Sequence, residues 1–492
     1  MNYKNLGVYR KEHVKAMEDV PDYLSNPINA FTLIKRLTTD LNVIEKNIKD
    51  ATEYVKNVTI YHTDVKYPTE EDLKGAAQAL TRLQNTYQLD IAKLAEGRFS
   101  GESSGMKNQE ITFTMTTSDC YELGLTLYNE KDIQNAVRWM MEALRKYDEE
   151  NNIYNFTKAN ILEYISYCHY LLDDNQAALD WTNKLLELDP KNERALMNVQ
   201  YYRKHIAEKK LNKNGAEEIN KVKEEETYIG YDRRMYESLC RGEIDIPGVI
   251  SKRLRCSYLT KNHPFLLLAP IKVEQIYIEP DVFLYHQVIS DEEIEQIKSM
   301  AKPRFKRATV REVNGESSFS DYRISKSAWL LDEESPAVAR VTQRTADFTG
   351  LSMDTAEELQ VVNYGIGGHY DPHYDFTRHY ELPYIHGNGN RIATVLFYMS
   401  DVAQGGATVF IELGLTVFPV KNAALVWMNL HPSGEGDIST RHAACPVLRG
   451  SKWVSNKWIH QVGQELIKPC NLEYQQENVL RSIIKGVPRT LT

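Results

Sequence analysis

From Ile34 onward, apolar residues recur at alternating steps of three and four: Ile34, Leu37, Leu41, Ile44, Ile48, Ala51, Val55 and Val58. That alternation is an a/d heptad seam, narrower than the stripe of a globular helix. Thr38, Asp40, Glu45 and Lys49 lie off it. So narrow a seam predicts N-terminal coiled-coil helices that self-associate, with packing against Leu73 to Ala95 of the same chain as the alternative.

Between residues 119 and 203 the rhythm becomes that of a tetratricopeptide-like helix pair, with Cys120, Leu123, Gly124, Leu127, Ala136, Met140 and Ala143 in its small and large positions. It recurs at Leu162, Ile165, Ser166, Ala178 and Leu185, and Pro190 ends the second pair. Gly124 and Ser166 are small enough to let paired helices approach closely. Ala136 and Ala178 stand 42 positions apart, more than the usual repeat of about 34, so an extended loop is expected from Asp148 to Phe156. Tyrosines crowd this region: Tyr121, Tyr128, Tyr154, Tyr164, Tyr167, Tyr170, Tyr201 and Tyr202. Tyr167 and Tyr170 share a helical face. An aromatic face on the concave side of a repeat fold suits an extended, proline-rich peptide. Any one of these tyrosines would serve a hydrophobic core as well.

Ala207 to Thr227 is rich in lysine and glutamate and reads as a solvated helix or linker. The period then changes to that of short strands, at 276–278, 359–362, 393–398, 407–410, 415–418 and 424–428, with one helix near Asp291 to Ala301. Gly405-Gly406, Gly414 and Asn422 supply turns. Many short strands predict a double-stranded β-helix, or jelly roll.

At 492 residues the chain exceeds one compact core, and about 100–200 residues per domain gives roughly three domains. Hydrophobic residues at 42% and charged residues at 26% exclude wholesale disorder. The 59 basic and 68 acidic residues leave a net charge of −9, which disfavours a nucleic-acid binder working through overall charge. No apolar run approaches the ~20 residues of a membrane span. Met1-Asn2-Tyr3-Lys4 has no apolar signal core, as expected of a cytosolic protein or of a mature chain given an initiator methionine. The six cysteines (Cys120, Cys168, Cys240, Cys256, Cys445 and Cys470) include no C-x-x-C, which argues against zinc ribbons and thioredoxin-type chemistry. Two close pairs and two isolated cysteines suit a secretory-pathway protein with short disulfide loops; six reduced thiols are the other reading. The sequons Asn57-Val58-Thr59 and Asn155-Phe156-Thr157 tilt toward secretion.

In a strand, residues i and i+2 face the same way, so His373 and Asp375 in His373-Tyr374-Asp375 can chelate one cation. His369-Tyr370-Asp371 has the same form, and spacing alone does not rank the two. His442, 67 residues beyond Asp375, offers a second histidine from a distant strand. Two histidines and one carboxylate make the facial triad of non-haem Fe(II) oxygenases, with positions left open for co-substrate and O₂. Lys452 follows ten residues later, a cation for a dicarboxylate co-substrate. Taken singly, His442 would be a surface histidine and Lys452 a solvated charge.

Residues 363–375, Asn-Tyr-Gly-Ile-Gly-Gly-His-Tyr-Asp-Pro-His-Tyr-Asp, resemble the collagen prolyl 4-hydroxylase α-subunit family. So do Gly389-Asn390-Arg391-Ile392-Ala393-Thr394, Tyr398-Met399-Ser400-Asp401 and Gly405-Gly406-Ala407-Thr408. Arg441-His442-Ala443-Ala444-Cys445-Pro446-Val447-Leu448 and Lys452-Trp453-Val454-Ser455-Asn456-Lys457-Trp458 complete the set. Phe31 to Leu37 resembles the family's dimerising helix, Gly75 to Leu83 the helix after it, and Asp119 to Gly124 its peptide-binding domain. Pattern and resemblance together give a multidomain α + β chain. Its expected parts are a helical dimerisation domain (1–104), a tetratricopeptide-like peptide-substrate-binding domain (105–207) and a charged linker with a disulfide loop (208–272). A 2-oxoglutarate/Fe(II) dioxygenase domain (273–470) and a tail (471–492) follow.

The resemblance implies iron on His373, Asp375 and His442, with the ligands after Pro372 rather than at His369. It places the distal carboxylate of 2-oxoglutarate on Lys452, with Tyr364 near that co-substrate, and adds O₂ and ascorbate. The peptide groove maps onto Tyr167, Tyr170, Asn198 and Tyr201, and the chain departs at Lys204, where vertebrate members carry another aromatic. The implied disulfides are Cys240–Cys256 and Cys445–Cys470. The implied reaction hydroxylates proline at C4 in X-Pro-Gly repeats of procollagen-like chains, while 2-oxoglutarate becomes succinate and CO₂. The implied setting is the endoplasmic-reticulum lumen, in an α₂β₂ tetramer with protein disulfide isomerase as β, the signal peptide being absent from a mature, glycosylated chain. Val313 to Ser320 and Thr377 to Gly389 are candidate lids over the peptide. The competing readings are a non-catalytic chaperone that binds collagen chains, and the same chemistry on lysine or on a non-collagen proline-rich peptide.

Overall fold

The computed structural model describes residues 13–14, 16–40, 67–98, 114–150, 154–214, 228–311, 317–319, 323–378 and 387–471. Leu41 to Val58 of the heptad seam, Asn57, much of both candidate lids and the tail beyond 471 lie outside the described residues. The chain divides into two compact units, Met1–Thr227 and Tyr228–Thr492.

The first unit is helical. It begins with α1 (Val20–Leu24) and α2 (Pro27–Lys35); Asn26 caps α2 by accepting from the Ile28 and Asn29 N–H groups, and Pro27 occupies the position where an N–H would be unpaired anyway. α2 continues into a wider turn at Arg36–Asp40 and packs on α3 (Glu70–Thr86), burying Ile28 and Phe31 with Leu73, Ala77, Leu80 and Leu83. Ile34 and Leu37 of the seam are only half-buried, whereas Lys35 and Thr38 are fully buried. Lys35 tolerates burial because its Nζ donates to Asp119 Oδ1 at 2.9 Å and to Ser118 Oγ at 3.1 Å. A short α4 (Ile91–Ala95) follows.

The tetratricopeptide-like helices are α5 (Thr117–Asn129), α6 (Ile133–Glu149), α7 (Lys158–Leu171), α8 (Asn175–Leu188) and α9 (Glu193–Asn214), each packed on the next. Thr116 with Asp119 and Thr157 with Asn160 form capping boxes that start α5 and α7. The small residues do what the pattern requires. A Cβ at Gly124 would stand 3.1 Å from the Met140 side chain, and Ser166 donates to the Ala178 carbonyl on the paired helix.

The second unit opens with α10 (Tyr228–Cys240) and a short α11 (Gly248–Ser251). Its first strands are β1 (Cys256–Leu259), β2 (Ile271–Tyr277), β3 (Val282–His286), β4 (Lys306–Arg307), β5 (Thr309–Arg311) and β6 (Ser317–Phe319). Then come β7 (Arg323–Ile324), β8 (Lys326–Leu330), β9 (Leu359–Tyr364), β10 (His369–His373), β11 (Arg391–Tyr398) and β12 (Gln404–Gly405). The last are β13 (Thr408–Phe410), β14 (Leu415–Val417), β15 (Ala424–Met428), β16 (His442–Ala444), β17 (Val447–Arg449) and β18 (Lys452–His460). Helices α12 (Asp291–Ala301) and α13 (Pro336–Thr349) interrupt the series. One sheet has the order β1-β2-β3-β15-β11-β18-β9-β8-β4, the other β14-β13-β16-β10-β7, and the ladders are antiparallel.

The central strands β11 and β15 are mostly apolar because both of their faces are covered. Ala393, Val395 and Phe397 of β11 join the cluster under α12 and α13, with Ile294, Ile297, Val338 and Phe348. The intervening Leu396 and Tyr398 join a second cluster that also holds Phe410, Leu415 and Ala444 of the smaller sheet. The two sheets therefore share a core, and the polar members of that alternate series become the site.

Two expectations are corrected here. Much of the expected linker belongs to the second unit, since α10 packs on β13 and β14 and β1 extends the larger sheet. The disulfides Cys240–Cys256 and Cys445–Cys470 are not formed; Cys240 bonds to Cys445, 205 residues away. The reason is that α10 ends on the smaller sheet beside Cys445, whose N–H donates to Ala407, bringing the two Cα atoms to 5.5 Å. Cys256 opens an edge strand with its side chain exposed, and Cys470 is exposed near the end of the described chain. Closeness in sequence did not become closeness in space.

Candidate active site

β10 carries His369, Asp371 and His373, with Asp375 just past its end, and its register with β16 separates the two H-x-D pairs. Tyr370 faces Ala444 and His373 faces His442, three steps on one strand against two on the other, so β10 contains a β-bulge. Without it, His369 and His373 would point the same way. With it, Tyr370 joins His373: their rings stack 3.5 Å apart, and both line one cavity. His369 is buried outside that lining, its Nδ1 toward the Gly367 carbonyl.

The ligand atoms of His373, Asp375 and His442 lie within 4.8 Å of one another, and among the described residues no other group of histidine, cysteine, aspartate and glutamate is so placed. His373 Nε2 is 3.7 Å from Asp375 Oδ1, and His442 Nε2 is 3.7 Å from Oδ2. Each imidazole turns Nδ1 to the carbonyl two residues before it, His373 to Asp371 at 2.8 Å and His442 to Thr440 at 3.0 Å. With Nδ1–H donated there, the Nε2 lone pairs converge. Burial, with His442 alongside, pushes His373 down to about 3. Burial pushes Asp375 up, but His442, His373 and Arg391 outweigh it and bring the carboxyl to about 2. Neutral imidazole and ionised carboxylate are the forms a divalent metal takes.

Lys452 begins β18 opposite Tyr364 and is 1% exposed. Its Nζ donates to Thr408 Oγ1 at 3.2 Å and sits 5.7 and 5.8 Å from the rings of Tyr364 and Tyr398. No carboxylate among the described residues pairs with it, and burial lowers its pKa to about 7. Trp427, stacked edge-on to His442 in the same lining, buries an Nε1–H that has no acceptor among the described residues. A buried ammonium with no carboxylate and a buried N–H with no acceptor among the described residues, beside a three-ligand cluster, fit an anionic co-substrate held next to a metal.

Three family models match the chain: the prolyl 4-hydroxylase α-subunit N-terminal region over residues 4–101, the prolyl 4-hydroxylase peptide-substrate-binding domain over 117–208, and the 2OG-Fe(II) oxygenase superfamily over 359–460. Prolyl 4-hydroxylase subunit alpha-2 of Caenorhabditis elegans is 46% identical, over 97% of this chain and 88% of that protein. Subunit alpha-1 of Homo sapiens is 45% identical over 93% of this chain and 86% of its own length; that of Gallus gallus, 45% over 93% and 89%. The chain belongs to the prolyl 4-hydroxylase α-subunit family. As in that family, its second unit is a 2OG-Fe(II) oxygenase domain, which takes Fe(II) and 2-oxoglutarate.

In the peptide-substrate-binding domain of this family member, the tyrosines form a ladder of rings. Tyr167 contacts Tyr170, and Tyr170 contacts Tyr201 with the two hydroxyls 3.2 Å apart. Tyr167 and Tyr201 are 39% and 45% exposed, whereas Tyr202 is 1% exposed and belongs to the core. Asn198 lies half-buried one turn before Tyr201. Tyr201 also stacks on His205 at 4.4 Å, and Lys204 extends into solvent 3.9 Å from Glu208.

Several site residues were not singled out from the sequence. Thr408 accepts from both Lys452 and Tyr398. Trp458 donates Nε1–H to Asp375 Oδ2 at 3.0 Å, and Arg391 lies 3.9 Å over the Trp458 ring while bonding Glu357 and the Asp375 carbonyl. A period of two would have found Trp458, because Lys452, Val454, Asn456 and Trp458 all line the cavity from alternate positions of β18.

Proposed function

We propose that this α-subunit hydroxylates proline at C4 in X-Pro-Gly repeats of procollagen-like chains, with oxidative decarboxylation of 2-oxoglutarate to succinate and CO₂. The observation that carries the reading is Lys452, a buried cation in the cavity that holds the triad, with no carboxylate partner among the described residues. His373, Asp375 and His442 hold Fe(II), which with 2-oxoglutarate and O₂ supplies the oxidising chemistry. Lys452 pairs with the distal carboxylate, Thr408 turns its own proton toward it, and the Tyr364 ring walls that end off from water. Ascorbate serves as the reductant that keeps the iron ferrous.

Tyr167, Tyr170, Asn198 and Tyr201 receive the proline-rich chain, an extended helix that stacks well on aromatic faces. The two sheets with their shared core are read as a double-stranded β-helix within 273–470, after a dimerisation domain (1–104) and a peptide-binding domain (105–207). An endoplasmic-reticulum setting, with protein disulfide isomerase in an α₂β₂ assembly, is supported by the Cys240–Cys445 disulfide and by the exposed sequon residue Asn155. A non-catalytic chaperone would have no use for the triad and the buried lysine together.

Succinate release by the full chain with Fe(II), ascorbate and 2-oxoglutarate tests the reading. A (Pro-Pro-Gly) repeat peptide should raise it strongly and acquire 4-hydroxyproline, while a lysine-bearing peptide without proline should not. Equal stimulation by both peptides would defeat proline as the target.

A further inference from the structure

We propose that Thr394 and Asn429 are positioning residues that select which oxygen of Asp375 meets the metal, an inference that rests on the triad reading above. Asp375 lies past the end of β10, outside any strand, so its carboxylate needs an anchor from elsewhere. The larger sheet supplies it. Asp375 Oδ2 accepts from Thr394 Oγ1 at 2.7 Å and from Trp458 Nε1 at 3.0 Å, which fills both of its in-plane lone pairs. Each oxygen is 3.7 Å from one imidazole, Oδ1 from His373 Nε2 and Oδ2 from His442 Nε2, but Oδ1 accepts no hydrogen bond among the described residues. Oδ1 is therefore the oxygen with lone pairs to give a metal. A one-oxygen ligand keeps open the positions that a bidentate carboxylate would close.

Asn429 sets the direction of the Thr394 proton. Its Nδ2 donates to Thr394 Oγ1 at 2.9 Å, and an amide NH₂ can only donate. The single hydroxyl proton of Thr394 is then left for Asp375. Turning the Asn429 oxygen toward Thr394 would draw that proton away and set hydroxyl and carboxylate lone pairs against each other. Both residues are buried, and Asn429 Oδ1 has no hydrogen-bond donor among the described residues. Thr394 sits in mid-sheet, in register with Trp427 on one side and Trp458 on the other. Asn429 donates its backbone N–H to Ile392 and accepts from the Asp437 N–H, both at 2.8 Å.

The test is a Co(II) titration of the metal-free full chain, followed through the visible spectrum of the bound ion, which reports its coordination. Thr394→Val keeps the shape and removes the hydroxyl; Co(II) binding should weaken about 10–100-fold, with an altered spectrum. Thr394→Ser should restore most of it. Asn429→Asp, which offers Thr394 an acceptor, should reproduce the valine defect and add nothing to it in the double variant. Should Thr394→Val fail to fold by thermal melting, Asn429→Ala carries the test, because it frees the hydroxyl to turn away and should still weaken Co(II). Co(II) bound as tightly and with the same spectrum by the folded variants, while His373→Ala loses it, overturns the positioning role alone. Unchanged Co(II) binding by His373→Ala would instead remove the triad as the metal site.

Discussion

His373 and His442 are direct cross-strand partners whose rings lie 4.4 Å apart, and each is oriented by a backbone carbonyl two residues before it. The pairing of β10 with β16 thus sets the two imidazoles side by side. Alanine at His373, Asp375 or His442 should abolish turnover and reduce bound iron while leaving the melting temperature within a few degrees. His369→Ala, outside the cavity lining, should keep its iron and much of its activity. Iron content and succinate release on the four purified variants check this; a ligand variant with full activity leaves the set.

Much of this site was legible in the sequence because strand chemistry is periodic. The alternation on β18 survives folding, and His373 and Asp375 still converge although Asp375 lies past the end of β10. The choice between His369 and His373 was not legible from spacing, because it depends on one extra residue in β10 that appears only against β16. Resemblance to a family picked the histidine that lies beside Asp375 and His442, without giving the cause. The disulfide shows the opposite failure: sequence proximity and resemblance both paired Cys240 with Cys256, while the packing of α10 on β13 and β14 decided for Cys445. At the N-terminus, a seam read from apolar residues alone passed over Lys35, whose burial depends on a carboxylate 84 positions away.

The tyrosine ladder separates binding from core. Tyr167→Ala or Tyr201→Ala, both partly exposed, should weaken long proline-rich peptides several-fold, affect very short ones little, and lower stability by under about 1 kcal/mol. Tyr202→Ala should instead cost about 3–5 kcal/mol, as large buried aromatics do. Peptide titrations at two lengths, with thermal melts, distinguish them. A Tyr201→Ala protein that loses stability like Tyr202→Ala would move Tyr201 to the core.

Cys240–Cys445 and the Arg441–Asp232 ion pair bracket His442, tying its strand to α10. Cys445→Ser should destabilise the second unit by about 2–5 kcal/mol and lower iron occupancy with it. Cys256→Ser and Cys470→Ser should leave both unchanged, since those thiols are exposed and unbonded. Disulfide mapping of the non-reduced protein is the direct check, and a Cys240–Cys256 peptide would contradict the linkage.

The last prediction concerns Lys452, whose burial has a consequence in pH. Before 2-oxoglutarate binds, its ammonium titrates at about 7, because burial disfavours the charge and no carboxylate among the described residues opposes it. The distal carboxylate of 2-oxoglutarate would favour the charged form and raise that pKa. Below pH 7 the lysine is already protonated, so affinity is at full strength. Above it, binding must take up a proton, and affinity should fall by up to about tenfold per pH unit until the pH passes the raised value. The contact itself is charge-assisted, worth about 1.5–3 kcal/mol, so Lys452→Ala should raise the 2-oxoglutarate requirement roughly ten- to a hundred-fold. The alanine variant should also lose the proton uptake, whereas a merely surface lysine would contribute none. Calorimetric titration of 2-oxoglutarate at pH 6.5 and about 8.5, in buffers of different ionisation heat, reads affinity and proton uptake together. An unchanged affinity in Lys452→Ala, or the same uptake in both proteins, would show that the co-substrate binds without it.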